Sequence, residues 1–128
     1  MLVLLREQSL PEGSFLVTSD LVDYFERIDI PKLLLALEYE VAEVFSPTVA
    51  NFVMKVSAFV LRTKFFRVNG TLLKKCSSLS IGEQIATSAA NVFRHHHTKV
   101  VLASHAQFLR LFKGYVDDVF FIWVGPLL

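Results

Sequence analysis

Cysteine is almost missing from this sequence. Cys76 stands alone, which excludes an internal disulfide framework and suits a reducing, intracellular compartment. Glycine and proline are sparse, at five and four residues, and no linker, low-complexity tract or internal repeat interrupts the chain. The 128 residues are therefore expected to form one domain, 1–128, long enough to bury a core. Long apolar runs are lacking too. The charge-free stretch Val119 to Leu128 falls short of the roughly 20 residues that a membrane span needs. Met1 to Leu5 is followed at once by Arg6 and Glu7, so it does not read as a signal peptide, and no membrane partner is expected. Glycine-rich phosphate loops of the Walker or dinucleotide-binding type are missing as well.

Acid is scarce in the middle of the chain. Between Val44 and Val116 Glu83 stands alone against ten Lys and Arg, whereas Met1 to Glu43 holds nine acids against Arg6, Arg27 and Lys32. Asp117 and Asp118 follow the basic stretch directly. A basic middle closing on an acidic pair is what a phosphate-tracking surface beside a metal site needs, although a solvated basic face gives the same pattern. What is plentiful is apolar surface: 53% of residues are hydrophobic and mean hydropathy is +0.49. That is high for a domain standing alone, so some apolar faces are expected to pack against protein outside this chain.

Local signals give an α+β order, with strands and helices interspersed. Pro11 and Gly13 mark a turn, and Phe15 to Thr18 reads as a buried strand ending at Asp20. Asp29 and Pro31 start a helix over Leu33 to Phe45. Ser46 as N-cap and Pro47 at the first helical position start a second helix. Val49, Phe52, Val53, Val56, Phe59 and Val60 share one face of it. Asn69-Gly70 between Phe65–Val68 and Thr71–Lys74 is a strong hairpin signal, because both residues tolerate positive φ. Ser77, Ser78, Ser80 and Gly82 suggest a loop, and Thr87 to Phe93 a short helix of small residues. Phe108 to Phe112 fits either helix or strand. Lys113–Val116 and Val119–Val124 read as strands pinched around Asp117-Asp118.

Three acids thus fall at strand ends: Asp20, Asp117 and Asp118. An acidic pair wedged among β-branched and aromatic residues is costly unless the like charges are compensated, and divalent cations are the usual compensation. The bland alternatives are turn chemistry at a hairpin tip for the pair and a cap or solvated strand end for Asp20. The flanking sequence argues for the former reading. Tyr115-Val116-Asp117-Asp118 resembles the catalytic hairpin of reverse transcriptases. Phe15-Leu16-Val17-Thr18-Ser19-Asp20, with Phe25 five residues on and then Ile28, resembles the first catalytic strand and turn of that family. Ile85 to Phe93 resembles the loop and helix beneath its template and incoming nucleotide. The likeness runs from about Phe15 to Trp123 and is nearest in flavour to Penelope-like and related non-LTR retroelement polymerases.

The resemblance implies a polymerase palm-like antiparallel sheet with helices packed on one face. It implies two Mg²⁺ ions, with Mn²⁺ as substitute, held by Asp20 and Asp117 with support from Asp118. It implies RNA or DNA template–primer and dNTPs as partners, with Phe25 under the incoming sugar and Gln84, Ala86, Thr87 and Ser88 on the floor below the nascent base pair. Arg62, Lys64, Arg67, Lys74 and Lys75 would touch the template–primer backbone. Fingers and thumb are expected to lie largely outside these residues. The sequence departs from the family at Ala86, where glycine is usual, at Asn91, where proline is usual, and at Glu26, Arg27, Asp29 and Glu83. An added methyl at a close-approach position obstructs substrate. The competing expectation is accordingly an inactive palm remnant that binds nucleic acid through its basic middle. His95-His96-His97 with His105 do not read as a metal site, because adjacent histidines on a helix point in different directions.

Overall fold

The computed structural model describes residues 10–75, 77–80 and 84–126. The chain is α+β and divides into two compact units: the described residues up to Leu21 together with those from Val100 onward, and Val22–Lys99. Among the described residues no helix is long and apolar enough to cross a membrane.

The Val22–Lys99 unit is built on a helical hairpin. A four-residue helix, α1 (Tyr24–Arg27), precedes α2 (Ile30–Val44). The start of α2 is where the sequence puts it: the Asp29 side chain accepts from the Lys32 backbone N–H and Pro31 occupies the first turn, where a missing N–H costs nothing. Ile30, Leu33, Leu34, Leu37 and Val41 recur at helical spacing and are buried. Next comes α3 (Pro47–Arg62). Ser46 sits at its N-cap, but the hydroxyl makes no capping bond; the Ser46 carbonyl accepts from Ala50 N at 2.8 Å instead.

The expected apolar residues of α3 do share one face, and that face is largely uncovered. Ser57 and Leu61 are buried and Val53, Met54 and Ala58 half-buried, whereas Val49, Phe52, Val56, Phe59 and Val60 lie exposed, Phe52 at 67% and Phe59 at 68%. The helix packs on α2, buries Ser57 and Leu61, and turns Phe52 and Phe59 outward.

The hairpin of β2 (Phe65–Val68) and β3 (Thr71–Lys74) follows. Asn69 and Gly70 have φ of 47° and 81°, the two left-handed positions expected of a type I′ turn. The serine-rich segment does more than connect: Leu79 is fully buried, and Ile30 N donates to Ser77 O at 3.2 Å beside an isolated bridge between Asp29 and Ser78. Gly82 and Glu83 lie outside the described residues. Helix α4 (Ala86–Ser104) runs well past Phe93, with Ala86, Ala89 and Ala90 buried in the same core as Ile28, Leu33, Leu61 and Leu79. Each large side chain so buried is worth about 1.5–3 kcal/mol relative to exposure.

The other unit holds a three-stranded antiparallel sheet, order β1-β5-β4, from β1 (Phe15–Asp20), β4 (Leu109–Tyr115) and β5 (Asp118–Trp123). The ambiguous segment Phe108 to Phe112 is thus mostly strand, with a register shift between Leu109 and Leu111. Ile122 on the central strand is fully buried, while Leu16 and Tyr115 are exposed. Val101, Leu102 and His105, at the end of α4, line an apolar cavity of about 260 Å³ with Phe112, Phe121 and Trp123.

Candidate active site

Asp20, Asp117 and Asp118 gather at one end of the three-stranded sheet. Asp20 is the last residue of β1 and lies directly opposite Asp118, the first residue of β5; Asp118 also lies opposite Tyr115 across the β4–β5 turn. Paired residues of an antiparallel ladder project to the same face with Cβ atoms about 4.5–5.5 Å apart. Val116 and Asp117 form the turn. Val116 has φ 54°, a left-handed conformation costly for a β-branched residue, of a kind that concentrates at functional sites. The Leu21 N–H donates to the Asp117 carbonyl at 3.0 Å, tying the exit of β1 to this turn.

Two like charges facing each other destabilise a strand pair. Here Asp20 and Asp118 are exposed and Asp117 half-buried, so water screens part of the repulsion. Among the described residues no group of three or more His, Cys, Asp and Glu side chains is assembled around a cation position. The donor set fits Mg²⁺ nonetheless: that ion is commonly bound by one or two carboxylates, its remaining positions going to water and substrate phosphate. Asp20 and Asp118 line an open cavity of about 500 Å³ with Thr18, Lys113 and Tyr115.

The other sequence-predicted residues belong to the Val22–Lys99 unit. Phe25 is half-buried in α1, packed against that unit's core and edge-on to Tyr24 at 6.1 Å. Gln84, Thr87 and Ser88 are exposed at the start of α4, but Ala86 is a core residue, 1% exposed. It belongs to the apolar cluster that also contains Leu33 and Leu61, so the exposed side chains of this set are Gln84, Thr87 and Ser88.

The five cations separate by environment. Arg62, Arg67 and Lys74 are exposed. Lys64 is buried, at 9% exposure, and the Lys75 ammonium donates to the Leu79 carbonyl at 2.9 Å. In the β2–β3 register Phe65 opposes Lys74 and Arg67 opposes Leu72, so these four residues share one face; Phe66, Val68, Thr71 and Leu73 share the other.

Two features escape the sequence reading. Lys113 stands on the sheet face that carries the aspartates, which follows only once strand register is known. Glu40 gathers side chains from α4: Lys99 Nζ at 2.5 Å, His96 Nδ1 at 2.7 Å and His95 Nε2 at 3.7 Å, with Glu43 accepting from Lys99 at 3.4 Å. The Lys99 hydrogen bond holds the Glu40 carboxyl below the usual carboxylate range, and Glu40 in turn raises Lys99. His95 and His96 are therefore part of a clamp between α2 and α4. Tyr24, half-buried against the core, donates its Oη hydrogen to the Ala90 carbonyl at 2.7 Å, and burial pushes its phenol up to about 12.

Fold and site together define an α+β protein with paired aspartates at the end of an antiparallel sheet. No protein-family model, no curated protein and no solved structure matches the chain.

Proposed function

We propose that this chain is the palm segment of an RNA-directed DNA polymerase of retroelement type, with the three-stranded sheet as the catalytic part of a polymerase palm. The observation that carries the reading is the register of Asp20 opposite Asp118, with Asp117 in the adjoining turn. Acids far apart in sequence meet at one sheet end, in the order expected from the Tyr115-Val116-Asp117-Asp118 resemblance. Asp20, Asp117 and Asp118 would hold the divalent ions, and bound Mg²⁺ supplies charge neutralisation for the attacking 3′-hydroxyl and the departing pyrophosphate. The carboxylates fix the position at which a primer terminus and a dNTP meet. Phe25 with Gln84, Thr87 and Ser88 would contact nucleotide, and Arg62, Arg67 and Lys74 the template–primer. The setting is intracellular.

The test uses Tb³⁺ as a luminescent stand-in for a hard, oxygen-seeking cation. Tyr115, opposite Asp118, should sensitise Tb³⁺ emission, with Mg²⁺ and Mn²⁺ competing and Asp118→Asn removing the signal. Absence of sensitised emission from the unaltered chain sinks the metal-site reading. In a complete polymerase containing this segment, Asp117→Ala should abolish primer extension, and undiminished extension would refute the catalytic assignment.

A second reading is an inactive palm remnant that binds nucleic acid. It is favoured by the exposed face that unites Phe65, Arg67 and Lys74, a ring for stacking beside cations for phosphate. Salt-sensitive RNA binding that persists in Asp118→Asn, without Mg²⁺-dependent nucleotide addition, supports this reading over the first.

A further inference from the structure

Lys113 lies opposite Phe120, two residues along β5 from Asp118, and Phe120 in turn lies opposite Thr18. Because side chains alternate along a strand, the rows Asp20–Asp118–Tyr115 and Thr18–Phe120–Lys113 occupy the same face, one repeat apart. A diagonal neighbour of this kind sits about 7–8 Å away between backbone positions, within reach of a lysine side chain. Lys113 is exposed and lines the same cavity of about 500 Å³ as Asp20, Asp118 and Tyr115. Among the described residues it forms no ion pair with either aspartate.

A cavity with two carboxylates at one side and an ammonium a short distance away has two signs of charge to satisfy. A free cation needs only the carboxylates, and a free phosphate needs only the ammonium. A metal-bound polyphosphate satisfies both, with its metal on the acids and its outer oxygens against the lysine, which binds phosphate as a point charge. We propose that Lys113 is a positioning residue for the phosphate chain of a metal-bound nucleoside triphosphate at this end of the sheet. The inference rests on the metal-site reading of Asp20 and Asp118 and adds a residue that recognises the phosphates of the nucleotide.

The experiment compares the full chain with Lys113→Ala, Lys113→Arg and Asp118→Asn, each checked for fold by circular dichroism. Two quantities are read: Tyr-sensitised Tb³⁺ emission, and equilibrium dialysis of a labelled dNTP and the matching monophosphate in Mg²⁺. Lys113→Ala should weaken triphosphate binding roughly tenfold or more, the worth of one charge-assisted hydrogen bond. The monophosphate should be less affected, Tb³⁺ emission should be kept, and Lys113→Arg should restore most of the affinity. A purely structural role for the lysine would not make the loss depend on phosphate number. If the unaltered chain binds Tb³⁺ but no triphosphate, or if Lys113→Ala binds triphosphate as tightly as the parent, the Lys113 inference fails while the metal site stands. If the unaltered chain shows neither signal, the metal-site reading fails and carries this inference with it.

Discussion

At the scale of single residues, the acids that would hold metal weaken the fold they stand in. Asp20 and Asp118 face each other and, among the described residues, neither forms an ion pair, so Asp118→Asn should raise stability by roughly 0.2–1 kcal/mol in urea denaturation without added metal, while removing Tb³⁺ binding. A drop in stability would mean that the pair is already compensated. Glu40 behaves in the opposite sense. Its carboxyl is held below the usual range by Lys99, so the stability it contributes is present in full above that range and is lost as pH falls through the lowered value. Lys99 is raised, and its share is lost as pH climbs past the usual lysine range. Glu40→Gln should therefore flatten the acid limb of a stability–pH curve, and an unchanged limb would refute the clamp. Tyr24 adds an alkaline counterpart. Its phenol moves from 10.0 to about 12, so stability should fall as pH rises from the first value to the second, and Tyr24→Phe should abolish that fall. The same substitution removes the bond to Ala90 O at a cost of about 0.5–1.5 kcal/mol.

At the scale of elements, local signals held where the chemistry is local. Asp29 and Pro31 start α2, and Asn69-Gly70 closes β2 on β3 with both φ values positive. A Cβ at Gly70 would meet nothing within 4 Å, so Gly70→Ala should cost about 1–2 kcal/mol from its backbone conformation alone. Helix α4 outran expectation. No glycine or proline stands between Gly82 and Gly114, so nothing in the sequence stops a helix at Phe93, and that absence was the available clue. The apolar face of α3 was legible, but not which side of the helix would be covered. Helical periodicity shows that an apolar stripe exists, but Phe52, Phe59 and Leu61 are all apolar, and the choice among overlapping faces belongs to the partner helix. Leu61→Ala should cost about 2–5 kcal/mol, whereas Phe59→Ser should stay within about 0.5 kcal/mol. Comparable losses from both would contradict the observed face.

At the scale of the whole molecule, the segregation of charge along the sequence is plain, but its division into usable and internal cations is not. Arg67→Ala should lower the salt slope of RNA binding by about one. Lys75→Ala and Lys64→Ala should instead lower stability, since one ammonium holds the Leu79 carbonyl and the other side chain is buried. The sequence by itself determined the α+β class, the hairpin turn, the start of α2 and the order of the three acids, because caps, turns and periodicity act over a few neighbouring residues. Only the tertiary structure decided that Asp20 faces Asp118, that Lys113 shares their side of the sheet, that Ala86 is core, and that α3 turns its phenylalanines outward. Those outcomes depend on which segments meet across long stretches of chain. A shift of one residue in register, or a turn of one helix about its axis, reverses each of them without altering any local signal.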